Sequence, residues 1–179
     1  KRIIFNGNGY SDEWVAEAES RGLPNIKTTV DATRYYLDPE CIAMFERHGV
    51  LSRAEINSRV DIVLENYCKV LHIEALTLIE MMNRQVIPAI SEYTDRLCTA
   101  LSHKRALNIN ADESADREII ARLSAAGSEI YKLTGDLKMA VSSAEKIADM
   151  LEKATAYHDI VLKLMTDIRK YADSSEAVV

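Results

Sequence analysis

The ten residues FNGNGYSDEW, Phe5 to Trp14, set two glycines and two asparagines directly ahead of a helix start. Glycine spacing of this kind can cradle a phosphate on exposed backbone N–H groups at a helix N-terminus. Here the dinucleotide fingerprint is incomplete. Gly7-x-Gly9 is present, but Asp12 stands where the third glycine belongs, and there is no Gly-Lys-Ser/Thr. Asp12 and Glu13 would also meet an incoming anion with two negative charges. Asn6, Gly7, Asn8, Gly9 and Tyr10 therefore read as a structural turn, in which Asn-Gly supplies positive φ at low cost.

The remaining chemistry-bearing residues are scattered. A carboxylate-bridged metal site in a helical bundle calls for Glu-x-x-His on an inward face. His72 and Glu74 are two residues apart, which sends them to different sides of a helix, and His48, His103 and His158 have no partner at ligand spacing. Cys41, Cys68 and Cys98 are widely spaced and form no CxxC, as expected of reduced core thiols in a cytoplasmic protein. No Gly-x-Ser-x-Gly occurs, and no cysteine is read as the nucleophile of a likely histidine base. Glu65 and Glu74 stand in apolar surroundings and read as structural ion-pair partners, Arg59 and Asn66 being candidates. Tyr67, Tyr93, Tyr131 and Tyr157 suit helix seams, where the ring packs and the hydroxyl reaches water. No catalytic, cofactor-binding or metal-binding residue is assigned.

The elements that would position these residues are helices. The chain has 179 residues, 47% hydrophobic and 28% charged, with only six glycines and three prolines. So few breakers over that length favour long uninterrupted elements. A net charge of −6 without a dense Lys/Arg cluster argues against nucleic-acid binding, and no apolar run approaches the roughly 18 residues of a membrane span. Ile3-Ile4-Phe5 is β-prone but suits only an edge strand or an extended lead-in. Ser11 is an N-cap, Trp14, Val15 and Ala18 make an apolar stripe, and Arg21-Gly22 closes that helix. A short helix follows from about Asp31 to Tyr36. The next is capped by Asp38 with Pro39 at its first position, buries Ile42, Met44 and Phe45, and ends at Gly49.

Ser52 to Glu55 is a capping box. Beyond it apolar residues recur at helical spacing, among them Ile56, Val60, Val63, Tyr67, Val70, Leu71, Leu78, Met82, Ile90 and Leu101. Only Pro88 interrupts. A helix from about Arg53 to Leu107 would be roughly 80 Å long and needs a partner. That partner follows the polar Asn108 to Ser114 turn, with Leu123 and then Ile130, Leu133, Leu137, Ala140, Ala144, Ile147, Leu151, Ala154, His158, Val161, Met165, Ile168 and Ala172 in steps of three and four. Gly127 and Gly135 weaken it locally, and Glu152 to Tyr157 is a candidate break. Acid-before-base pairs at i, i+4, namely Glu80/Arg84, Glu118/Arg122, Asp149/Lys153 and Asp159/Lys163, support the helical reading. The predicted architecture is all-α. A small irregular helical head, residues 1–51, precedes a long antiparallel helical hairpin or three-helix bundle, residues 52–174, and residues 175–179 fray.

The stretch FNGNGYSDEWVAEAESRGLPN, followed by FERHGVLSRAEINSRVDIVLENYCKVLHIEALTLIEMM, resembles the C-terminal part of type III glutamine synthetases, the large bacterial form. The likeness is strongest from Ile3 to Met82 and is carried by several motifs in order. It implies a full-length cytoplasmic enzyme that phosphorylates glutamate with ATP, aided by Mg or Mn, and lets ammonia displace the phosphate. It also implies a homo-oligomer with active sites at subunit boundaries. The carboxylates, glutamate site and ATP-binding strands belong to an upstream catalytic domain whose motifs are absent here, so the isolated piece is expected to be inactive. The opening Lys1-Arg2-Ile3, with neither Met nor leader, reads as mid-polypeptide. Asn6 to Tyr10 then becomes the turn at the interface with the catalytic core. The alternative is an autonomous helical protein–protein interaction module.

Overall fold

A computed structural model of the chain describes residues 3–107 and 112–178, and these form helices and turns with no strand among them. The chain is all-α, as its sequence implies. It divides into two compact units, Lys1–Val63 and Leu64–Val179, and the division falls within a helix.

The first unit is built from short, well-capped helices. α1 (Asp12–Ser20) begins where the Ser11 side chain accepts from the Trp14 N–H and ends at Arg21, with Gly22 at φ 69°. α2 (Thr29–Tyr36) starts two residues earlier than its sequence suggests, because Thr28 caps it by accepting from the Asp31 N–H at 3.0 Å. In α3 (Pro39–Arg47), Asp38 accepts from the Glu40 N–H, and Gly49 follows at φ 63°. The Ser52–Glu55 capping box forms. The Ser52 N–H donates to Glu55 Oε2 at 2.8 Å and the Glu55 N–H donates to Ser52 Oγ at 3.3 Å. The Ser52 N–H, and with it the Ser52 hydroxyl that also donates to Oε2, hold the Glu55 carboxyl below its usual range. The box opens α4 (Arg53–Met81). Val30, Thr33, Ile42, Ile56 and Val60 are the buried residues of this unit.

Two expectations fail in this unit and a third is narrowed. Of the edge strand and the lead-in expected at Ile3 to Phe5, no strand forms; the Phe5 ring stacks on Trp14 with centroids 4.5 Å apart. Val15 and Met44 lie in the predicted apolar stripes but are exposed, because these helices are too short for a full seam. Gly7 and Gly9 do not take positive φ, which among the described glycines is confined to Gly22 and Gly49. Asn8 closes the turn itself, its side chain accepting from the Tyr10 N–H and its carbonyl from the Ser11 N–H. Gly7 is needed for room, since a Cβ there would sit 2.6 Å from the Phe5 ring.

In the second unit α4 passes without a break into a π-helical turn, Met82–Val86, and on into α5 (Ile87–Ala106). Pro88 offers no N–H and crowds the preceding turn. Widening that turn to i→i+5 geometry accommodates it, so the proline does not end the helix. α6 (Ser114–Glu145) follows, its first N–H, from Ser114, donating to Asp112. Asn108 to Ala111 of the expected turn lie outside the described residues. The next break comes at 146–149 rather than at Glu152. Asp149 caps α7 (Met150–Ala156), its side chain accepting from the Glu152 N–H. A second π turn, Tyr157–Val161, joins α7 directly to α8 (Leu162–Glu176). Ser175 thus belongs to the helix, buried with its hydroxyl donating to the Tyr171 carbonyl, and not to a frayed tail.

Of the two predicted arrangements, hairpin or bundle, these helices make the three-legged one. Lys104 meets Asp116 at 2.6 Å, Ile90 would meet a Cβ at Gly127 at 3.4 Å, and His72 faces Glu145 at 3.6 Å. As one residue number falls the other rises, so α6 runs antiparallel to α5 and α4. Tyr157 reaches His72, and Leu162 and Met165 line a groove with Ile73 and Met81, so the third leg returns parallel to α4. Leu64, Leu71, Leu123, Ile130, Leu137, Val141, Val161 and Ile168 fill the core. Each such side chain contributes about 1.5–3 kcal/mol on burial.

Candidate functional site

The turn singled out by the sequence stands on its own geometry. Asn6 to Tyr10 lie ahead of α1, and Tyr10 is fully exposed. Behind the turn, Arg21 donates to the Ile4 carbonyl at 2.8 Å and lies 5.4 Å from the Trp14 ring, over which Phe5 is also stacked. The Phe5–Trp14–Arg21 stack therefore fixes the path by which the chain enters α1.

A second cluster was not legible in the sequence, because it joins two segments that are far apart along the chain. In the Leu64–Val179 unit a groove of 440 Å³ is lined by Glu65, Cys68, Lys69, His72 and Ile73 on one side and by Glu145, Met150, Lys153 and Tyr157 on the other. His72 Nδ1 and the Tyr157 hydroxyl are 3.0 Å apart in a hydrogen bond, and the two rings meet edge to face. When the phenol donates to an unprotonated Nδ1, the Nε2–H faces Glu145 Oε1 3.6 Å away. Tyr157 is 2% exposed. Burial, with smaller contributions from Glu145 and Cys68, pushes its hydroxyl above the usual phenol value. Burial likewise pushes the Cys68 thiol up, which keeps it protonated and a poor nucleophile. The arrangement satisfies a buried hydroxyl at the start of a π turn and ties α4, α6 and α7 together. It supplies no nucleophile–base pair.

The other titratable residues are dispersed. His158 contacts its neighbour Asp159 at 2.8 Å, Glu65 pairs with Lys69 at 2.7 Å, and Glu80 pairs with Arg84 at 3.2 Å. Neither expected partner of Glu74 engages it; the residue is exposed. Asp149 is occupied as an N-cap, and Asp159 turns to His158 instead of Lys163. Tyr131, expected in a seam, is exposed. The α5–α6 junction carries the densest charge cluster. Glu113 accepts from both Arg105 and Arg117, at 2.8 Å to each terminal guanidinium nitrogen, which holds its carboxyl down at about 2. Among the described residues no group of three or more His, Cys, Asp or Glu side chains is placed so that it could hold a metal ion. No described helix is long and apolar enough to cross a membrane.

The described residues thus define an all-helical region in which many polar groups cap and join helices. The chain belongs to the glutamine synthetase C-terminal domain family, whose model matches residues 1–105. It is 38% identical over its whole length to a glutamine synthetase of Butyrivibrio fibrisolvens, of which it covers 26%. With a glutamine synthetase of Bacteroides fragilis (strain YCH46) it shares 31% identity over 97% of the chain and 24% of that protein. With the type-3 glutamine synthetase of Dictyostelium discoideum it shares 28% identity over 99% of the chain and 25% of that protein. The chain thus spans about a quarter of the length of the curated relatives it matches. The resemblance drawn from the FNGNGYSDEW and FERHGVLSRAE stretches holds.

Proposed function

We propose that this chain is the non-catalytic C-terminal helical part of a type III glutamine synthetase and serves the assembly or architecture of the full enzyme. That enzyme ligates ammonia to glutamate with ATP in the cytoplasm. ATP and Mg or Mn belong to the upstream catalytic domain, and no step of the reaction is routed through residues of this chain. Its partners are that upstream domain, reached through Asn6 to Tyr10, and further copies of the subunit.

The observation that carries this reading is the match to a C-terminal domain family by a chain that spans a quarter of its glutamine synthetase relatives. Long helices with exposed apolar side chains such as Ile73, Leu76 and Met139 suit an architectural role. The test is glutamine formation from glutamate, ammonia, ATP and Mg by the isolated chain and by the full-length protein. Turnover by the full-length protein alone is expected; turnover by the isolated chain would refute the division of labour.

A further inference from the structure

Within the second unit α4 carries an exposed face, of which Ile73 also lines the grooves that α4 shares with α7 and α8. At about 100° per residue, Glu65, Lys69, Ile73, Leu76 and Glu80 fall within an arc of about 80°. This arc points away from the buried Leu64, Cys68, Leu71 and Ala75 of the same helix. Ile73 and Leu76 are 64% and 48% exposed at its centre. Two surface ion pairs flank them, Glu65–Lys69 on one side and Glu80–Arg84 on the other.

The order of these groups has a particular symmetry. About the midpoint between Glu74 and Ala75, Ile73 is the counterpart of Leu76, Lys69 of Glu80, and Glu65 of Arg84. Every apolar residue is mirrored by an apolar one and every charge by its opposite. A helix patterned in this way is complementary to itself when reversed, which is the requirement of a two-fold, isologous contact. The in-register parallel pairing would instead set Lys69 against Lys69 and Glu80 against Glu80. Glu74, close to the midpoint, lies about 140° from the centre of the face and so does not confront its own copy across the axis.

We propose that this face of α4 is a docking surface for a second copy of the chain. The two α4 helices cross antiparallel, Ile73 and Leu76 interdigitate, Lys69 lies against the partner's Glu80 and Glu65 against the partner's Arg84. The occupant is a second copy because the charge order fits the same helix reversed. The inference deepens the assembly reading and rests on it, naming the surface through which subunits meet.

The experiment is sedimentation velocity on the full chain over a concentration series, with helix content checked by circular dichroism. Wild type is expected to approach twice 20.1 kDa. Lys69→Glu and Glu80→Lys should each halve the mass, as should Ile73→Arg, and the double variant Lys69→Glu/Glu80→Lys should restore it. Residues 69 and 80 lie about 16 Å apart along one helix, so rescue has no route within a chain. A monomeric wild type, a dimer indifferent to Ile73→Arg, or a double variant no better than the singles would overturn the proposal. Removing residues 1–179 from the full-length enzyme separates the two readings. If the deletion disassembles the enzyme while the charge swaps change nothing, the assembly role stands and this surface falls. If the swaps behave as described and the deletion leaves assembly intact, the surface stands and the assembly role falls.

Discussion

Replacing Leu137 by alanine removes three carbon atoms from a side chain that is 0% exposed in the middle of α6. Lost transfer energy accounts for about 2 kcal/mol, at roughly 0.8 kcal/mol for each buried methylene-sized group. The cavity left between packed helices adds to this, giving about 3–4 kcal/mol in total. For a unit the size of Leu64–Val179 such a loss lowers the melting temperature by about 10 °C. Leu137→Asp should cost more, since a carboxylate would be buried without a partner. Met139→Ala, two residues away and 63% exposed, should stay within about 0.5 kcal/mol of wild type. Thermal and urea unfolding followed at the helical circular dichroism band measure all three. Leu137→Ala melting together with Met139→Ala would refute the placement of α6 and with it the three-legged core.

Tyr157→Phe removes the hydroxyl bonded to His72 and should cost about 1 kcal/mol in urea unfolding with the helix content unchanged. Gly135 lies inside α6 with open space where a Cβ would go, so Gly135→Ala should stabilise by about 1 kcal/mol, whereas Gly49→Ala, at φ 63°, should destabilise by about as much. Because its two arginines hold the Glu113 carboxyl at about 2, below its ordinary 4.5, the stabilisation from this contact is present above about 4.5 and is lost as pH falls through 2. Carboxyl NMR titration should show that value, and Arg105→Gln should move it up toward the ordinary one. Leu151→Asp, at a half-buried site on α7, should cost less than Leu137→Asp in the same unfolding assay.

Local chemistry made much of this fold legible. Ser11, Asp38 with Pro39, and the Ser52–Glu55 box mark their helix starts because a cap is decided within four residues. The break at 146–149 was missed because neither glycine nor proline marks it; Asp149 makes it by capping α7, which only the folded backbone reveals. Val63 and Val70 read as core because α4 is apolar on more than one side, yet both are 45% exposed. Periodicity cannot say which of two apolar faces is covered inside the chain. The His72–Tyr157 contact joins residues 85 apart and leaves no trace in spacing. The turn at Asn6 to Tyr10 was located correctly, but its mechanism was not, since Asn8 rather than glycine at positive φ closes it.

The architectural role is tested most directly by the native mass of the full-length glutamine synthetase after residues 1–179 are removed. The account predicts a fall to smaller species with the upstream catalytic domain still folded. A truncated enzyme that keeps the mass of the intact assembly, corrected only for the residues deleted, would contradict it.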